Sequence, residues 1–245
     1  MDQLPNLGRE QEMLDIMGLS SMKDLFEDIP VEIRSEGTLP LPLPQTEEEI
    51  LRDAEKLLGA NVNLDSRPSF ISAGLARNFV PSMVPMIATR GEFLTSYTPY
   101  QPEVSQGMLQ AMWEFQTMIS ELVGLPISNV SMYDASTSAA EAITCAVRVK
   151  SKKVEMPNTV YVSELVPPHR MSVIENYTQG VGIDIRKIPH DEDGLLDLDS
   201  AAEASGSCAV YVEQPNAFGI LDEGLLRLRE VIGDKTAIIV GVDVT

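Results

Sequence analysis

The carboxyl-terminal half of the chain alternates short apolar runs with segments whose apolar residues recur at helical spacing. The apolar runs predict strands at residues 130–133, 160–162, 183–188, 209–212 and 237–244. The segments between them predict helices near 137–150, 170–179, 198–204 and 223–232. Strands separated by helices indicate a mostly parallel sheet with helices on both faces, an α/β fold. The nearly continuous apolar run at 237–244 is typical of a central, buried strand.

The amino-terminal quarter has a different pattern. Residues 1–65 predict a helical arm, and residues 66–245 predict the first part of the α/β domain. Two short helices in the arm have the apolar anchors Leu14, Met17, Leu25 and Phe26. The alternating prolines of LPLPLPQ, residues 39–45, predict a semi-rigid extended strap, because proline lacks an N–H and biases the residue before it to extended geometry.

Two further helices have recognisable ends. Thr46 and Glu49 have the spacing of a capping box, and the helix that they open is predicted to stop at Gly59. A longer helix is predicted by the apolar stripe Met108, Met112, Phe115, Ile119 and Leu122, with Gly124 as its end. We expect the methionines and Trp113 of this helix to pack in the core.

Composition narrows the class of protein. The chain has 245 residues, 44% of them hydrophobic, and its 18 basic against 37 acidic residues give a net charge of −19. Such a charge repels nucleic acid and anionic membrane surfaces. The acidic excess serves solubility or provides a docking surface for a basic partner. The apolar runs are shorter than the roughly 20 residues of a membrane helix. Cys145 and Cys208 lack metal-type spacing and predict buried, reduced thiols of a cytoplasmic protein.

A non-periodic stretch, EFLTSYTPYQPEVSQG at residues 92–107, concentrates hydrogen-bonding side chains around two prolines. Its candidate functional residues are Tyr97, Tyr100, Gln101 and Glu103. One interpretation is a stiff polar loop that helps to build a binding pocket. The other is that the loop caps the helix after it, through Glu103 or Ser105.

A second candidate is SMYDASTSAAEA, residues 131–142, where a predicted strand leads through small residues into a helix. Ser138 and Glu141 have the spacing of a capping box, and the start of such a helix is a general anion cradle. Asp134 and Glu141 would oppose a phosphate there, and an ordinary capped helix explains the same residues.

Other polar positions are equally ambiguous. The turn in YVEQPNAFGILDE, residues 211–223, follows a buried strand at the sheet edge that binds ligands in α/β proteins, although a Pro–Asn–Gly turn needs no ligand. Asp243 could orient a cationic ring nitrogen or simply end its strand. His169 and His190 have no metal-site pattern around them. The sequence contains no G-x-S-x-G, G-x-G-x-x-G or Walker motif.

Four segments together carry a resemblance: SYTPYQPEVSQG, FQTMISELVGL, NVSMYDASTSAAEA and EQPNAFG. They closely resemble the amino-terminal portion of glycine decarboxylase, the P-protein of the glycine cleavage system, and in particular subunit 1 of its two-subunit form. The resemblance covers roughly residues 5–245. The sequence departs from the family at Ala76 and Asn78, where a tyrosine and a histidine are usual, and at Ala135, where a glycine is usual.

The resemblance implies an aspartate-aminotransferase-like fold, the fold type I of pyridoxal-phosphate enzymes, here truncated at its carboxyl end. It implies that this chain lacks the Schiff-base lysine and that pyridoxal phosphate lies on glycine decarboxylase subunit 2. The partners implied are that subunit, in a heterotetramer, and lipoylated H-protein, which accepts the aminomethyl group of decarboxylated glycine. Tyr97, Tyr100, Gln101 and Glu103 would then complete the partner's pocket. The alternatives are a scaffold that kept only the fold, and a self-sufficient pyridoxal-phosphate enzyme whose lysine lies beyond Thr245.

Overall fold

Four apolar segments pair in parallel to form a sheet with the strand order β2-β1-β3-β4. The strands are β1 (Thr159–Ser163), β2 (Asp184–Ile188), β3 (Ala209–Gln214) and β4 (Ala237–Val242). All five residues of β1 and the first five of β3 are buried. The predicted parallel sheet is therefore confirmed, and its two inner strands are the ones that the β-branched apolar runs of the sequence encode.

The computed structural model describes residues 6–35, 37, 39–62, 64, 67–68, 78–94, 98–151 and 157–243. It divides the chain into two units, residues 1–68 and 69–245. The α-helices are α1 (Glu10–Met17), α2 (Glu47–Leu58), α3 (Met83–Ala88), α4 (Gly91–Leu94), α5 (Gln106–Val123), α6 (Ala135–Ser151), α7 (Pro168–Gln179), α8 (Leu198–Ala201) and α9 (Leu228–Ile232). Short 3-10 turns lie at Met22–Phe26, Val31–Ile33, Pro102–Val104, Ala202–Ala204 and Glu223–Arg227.

Helices cover both faces of the sheet. Because side chains alternate along a strand, Val160 and Val162 face one way and Tyr161 the other. The first face packs against α6 and α7, whose buried contributors include Ile143 and Ile174. The second packs against α8 and α9, with Ala201, Leu228 and Ile232. The predicted three-layer α/β arrangement is confirmed.

Three predictions about the α/β unit were wrong in detail. Residues 130–133 form no strand, because within the described residues no neighbouring strand pairs with them. Strand β4 lies at the edge of the described sheet, and Val240 and Val242 are 47% and 56% exposed. Helix α6 begins one turn before the predicted capping box, so Ser138 lies inside the helix.

The first unit contains the arm. Thr46 and Glu49 form the predicted capping box, with reciprocal hydrogen bonds between the Thr46 side chain and the Glu49 amide and between the Glu49 carboxylate and the Thr46 amide. The strap at 39–45 has no regular secondary structure. Leu14 is buried as expected, whereas the other three predicted anchors, Met17, Leu25 and Phe26, are 43–50% exposed.

Helix α5 confirms the long helix and ends at Gly124, which has a φ of 69°. The expectation that the methionines and Trp113 of this helix pack in the core was wrong for Trp113, which is 73% exposed, and for Met118, which is 62% exposed. Periodicity identifies an apolar face but not what covers it.

The expectation that both cysteines are buried holds for Cys208 and is wrong for Cys145, which is exposed. None of the described helices is long and apolar enough to cross a membrane.

Candidate functional site

The first turn of helix α6 is capped by Asp134. Its Oδ1 atom accepts hydrogen bonds from the amides of Ser136 (2.7 Å) and Thr137 (2.9 Å). The Thr137 amide, helped by that of Ser136 and by the charge of Arg170, lowers the pKa of the Asp134 carboxyl, against a smaller opposing effect of burial. The free donors that open a helix are therefore already bound to a carboxylate of the same chain. The start of α6 is thus a capped helix start, with Asp134 as the capping residue.

A buried ion pair lies close to this cap. Arg170, in the first turn of α7, places Nη1 2.6 Å from Oε1 of Glu213 on β3, and the two side chains are only 15% and 6% exposed. Burial opposes the charge of Arg170, but the hydrogen bond and charge of Glu213 outweigh it and raise the Arg170 pKa. The Arg170 guanidinium therefore stays protonated opposite Glu213.

Tyr211 completes the network. Its hydroxyl donates to Oε1 of Glu213 at 2.9 Å. Burial, followed by the negative charge of Glu213, raises the pKa of the phenol. Glu213 lies opposite Gly241 of β4, where a Cβ atom would stand 2.6 Å from the Tyr211 hydroxyl. The missing side chain at Gly241 gives the network its space.

Sequence reasoning missed Arg170, Glu213 and Tyr211. The sequence does contain one signal of this network: Glu213 lies within the apolar run of β3, and a buried carboxylate requires a partner. The partner itself could not be found, since it lies on another element. By contrast, the polar turn after β3 is explained without a ligand: Asn216 is buried, accepts hydrogen bonds from Phe218 and Ile220 amides, and donates to the carbonyl of Gly194. Asp243 follows β4, with its amide 3.4 Å from the Gln214 carbonyl oxygen.

The polar loop at 98–105 borders a cavity of about 540 Å³. Thr98, Pro99 and Ser105 line it, together with Arg90 and Glu92, which form an exposed ion pair. Tyr100, Gln101 and Glu103 are exposed and do not line this cavity; Tyr100 is 80% exposed. Tyr97 lies outside the described residues, as does Ala76. Arg90 and Glu92 were not among the predicted site residues, although the sequence places them directly before the loop.

The capping interpretation of this loop receives little support from the described contacts. Ser105 is the N-cap residue of α5, yet within the described residues its side chain makes no capping hydrogen bond. Pro102–Val104 form a 3-10 turn that holds the backbone instead.

Two described lysines of the α/β unit, Lys150 and Lys235, lie at the opposite end of α6 from Asp134. Lys150, at the end of α6, donates to the carbonyl of Lys235, which precedes β4, so both lie at the amino edge of the sheet. Lys187 is exposed on the outer strand β2. Lys152 and Lys153 lie outside the described residues. Within the described residues, no group of three or more His, Cys, Asp and Glu side chains is placed to hold a metal ion.

Comparisons with known proteins agree on one family. The family model of the glycine cleavage system P-protein matches residues 5–244. The probable glycine dehydrogenase (decarboxylating) subunit 1 of Thermococcus kodakarensis is 41% identical over 99% of this chain and 52% of that protein. The chain thus spans about half the length of that relative.

Solved structures agree on the fold. A crystal structure of glycine decarboxylase (P-protein) of the glycine cleavage system, in inhibitor-bound form, is 36% identical with a TM-score of 0.76, covering 99% of this chain and 53% of that one. Mouse CSAD in apo form, 17% identical with a TM-score of 0.52 over 89% of this chain and 48% of that one, shows the fold alone. The predicted aspartate-aminotransferase-like, fold type I architecture is confirmed.

Proposed function

The chain belongs to the glycine cleavage system P-protein family, and from that premise we propose that it acts as subunit 1 of a two-subunit glycine dehydrogenase (decarboxylating). With its partner, glycine decarboxylase subunit 2, it would decarboxylate glycine and transfer the aminomethyl group to the lipoyl arm of H-protein. The subunit 1 name of the Thermococcus kodakarensis relative, which this chain matches along 99% of its own length, supports the two-subunit form.

The Asp134 cap is the observation that supports placing the cofactor on subunit 2 and not on this chain. A phosphate bound at α6 would need the amides of Ser136 and Thr137, and both already donate to Asp134. The residues present here do not fit the phosphate of pyridoxal phosphate, so we place this cofactor on subunit 2. When bound there, the cofactor supplies the electron sink for loss of CO2.

This chain would contribute the shape and the hydrogen bonds of a pocket on its partner. Tyr97, Tyr100, Gln101 and Glu103 are the residues proposed for that role. Pro99 and Pro102 fix the backbone around them, and the exposure of Tyr100, Gln101 and Glu103 leaves their polar groups available to a second subunit. Hydrogen bonds that strengthen in the transition state would raise the turnover rate.

The proposed assembly is a heterotetramer that contains both subunits. We place it in the cytoplasm, where the two free cysteines would stay reduced. The net charge of −19 argues against nucleic acid and anionic membranes as partners.

The test is to purify the full-length protein alone and together with subunit 2, reduce each sample with borohydride, and map the labelled lysine. We expect label on subunit 2 alone, with glycine-dependent CO2 exchange only in the complex. A stoichiometric label on Lys150, Lys152, Lys153 or Lys235, or on a lysine beyond Thr245, would instead support a self-sufficient enzyme. A complex that forms but shows no exchange with lipoylated H-protein would support a scaffold.

A further inference from the structure

The start of α6 has the geometry of an anion site, with one unusual feature. The helix is 17 residues long, so its first amides carry the partial positive charge of a full helix dipole. Two of them converge on Oδ1 of Asp134, and the Ser138 amide donates to the Asp134 backbone carbonyl at 3.0 Å. Thr137 also returns a hydrogen bond, since its hydroxyl donates to the same carbonyl at 3.1 Å. The anion at this helix start belongs to the chain itself.

The neighbouring cation, Arg170, is also already paired within the chain. Arg170 is the basic residue whose charge acts on Asp134, and its Nη1 atom is held by Glu213. The guanidinium of Arg170 is therefore paired with one carboxylate, Glu213, and acts on Asp134 only through its charge. An incoming phosphate would meet a net negative charge, and it would have to displace Asp134 from the amides.

From these contacts we infer that Asp134 is an internal substitute for a phosphate and is the residue that keeps the cofactor phosphate out of this chain. This inference rests on the proposed function and deepens it, because it assigns the exclusion to one side chain. Lack of a suitably placed lysine would prevent only the covalent attachment. The Asp134 carboxylate would also prevent non-covalent binding of the phosphate group, and thereby leave a two-subunit assembly with one cofactor site per pair.

The test uses inorganic phosphate as the probe and the full-length chain without its partner. Binding is measured by calorimetry and by 31P NMR for the wild type and for Asp134→Ser, which retains a capping side chain but removes the charge. Glu203→Gln, at an exposed position in the Ala202–Ala204 turn, controls for the change in net charge. Far-ultraviolet circular dichroism shows whether each variant keeps its helices.

We expect Asp134→Ser to bind phosphate about tenfold more tightly than the wild type or more, because a like charge in contact with the ligand is removed. Glu203→Gln should resemble the wild type. If Asp134→Asn, which keeps the shape of the side chain, also gains affinity, charge is the cause. Equal phosphate binding by wild type and both Asp134 variants, or none by a folded Asp134→Ser chain, would overturn the inference. Neither result would change the lysine-labelling outcome, so the two proposals fail separately.

Discussion

Arg170 and Glu213 form an ion pair, 2.6 Å from Nη1 to Oε1, that joins the first turn of α7 to strand β3. Both side chains are largely removed from water, and Nε of Arg170 is buried with no hydrogen-bond partner among the described residues. Each charge therefore depends on the other for most of the solvation that it has lost. The pair fixes the start of α7 against the central strands, at the same sheet edge as Asp134.

Removing one member of this pair should destabilise the protein strongly. We expect Arg170→Met to cost about 3–5 kcal/mol in urea unfolding of the full-length protein, because Glu213 would keep a buried, uncompensated charge. Glu213→Gln should cost less, about 1–3 kcal/mol, since the amide oxygen can still accept from Tyr211. The double variant should cost less than the sum of the two by at least about 1 kcal/mol. Additive costs would show that the pair is not coupled.

Tyr211 should give the protein a pH dependence at high pH. Burial and the charge of Glu213 raise the phenol pKa in the folded protein. In the unfolded chain the same phenol has a pKa of about 10. Above that pH the unfolded chain releases a proton that the folded protein retains. The free energy of unfolding should then fall by about 1.4 kcal/mol per pH unit.

Tyr211→Phe should remove this slope and, below pH 10, should cost about 1–2 kcal/mol for the lost hydrogen bond. Tyr177→Phe, at an exposed position of α7, is the matched control and should keep the slope. Denaturant midpoints between pH 8 and pH 11 measure both effects. If Tyr211→Phe and the wild type lose stability in parallel above pH 10, another group is responsible.

Gly241 should not tolerate a side chain. A Cβ atom there would lie 2.6 Å from the Tyr211 hydroxyl and 3.2 Å from Cγ of Glu213, so the buried network would have to move. We expect Gly241→Ala to cost about 1–3 kcal/mol. Gly180→Ala is the control, because Gly180 has a helical φ of −70° and open space around it. That variant should be neutral or more stable by up to about 1 kcal/mol. A normal melt for Gly241→Ala would show that Tyr211 can move aside.

The sequence predicts what is local in this fold. Strands β1 and β3 are apolar runs of β-branched residues, and their burial follows from that composition. The start of α6 is less determined, because Asp134 and Ser138 are both good cap residues and the residues between them can be helical. The structure uses Asp134, which adds one turn to the helix.

What sequence cannot supply is contact between distant elements. Glu213 breaks an apolar run and so signals a partner, but only the parallel topology brings Arg170 to it. The exposed stripe of α5 is a similar case. Its spacing defines an apolar face, and Leu122 on that face is 61% exposed, so the described residues do not fully cover it. The predicted roles of Tyr100, Gln101 and Glu103 likewise depend on a second subunit, so they remain predictions.

The polar loop provides the last prediction. If Tyr100 and Glu103 help to build the partner's pocket, then Tyr100→Phe and Glu103→Gln should impair turnover while leaving folding nearly unchanged, because such hydrogen bonds act mostly in the transition state. We expect glycine-dependent CO2 exchange with H-protein to fall by roughly tenfold or more in the reconstituted complex, which corresponds to about 1.4 kcal/mol of barrier.

Reduced stability with unchanged turnover would instead identify a loop with a purely structural role. Loss of a helix cap costs about 1 kcal/mol of stability and need not affect catalysis, so a lower melting temperature with normal exchange would assign the stretch to architecture. Tyr177→Phe and Glu175→Gln, both at exposed positions of α7, are matched controls that remove the same groups elsewhere. We expect the larger effect from Tyr100→Phe, because Pro99 fixes the backbone immediately before Tyr100. The exposed Tyr100 hydroxyl and Glu103 carboxylate can serve as donor and acceptor in a pocket on the partner.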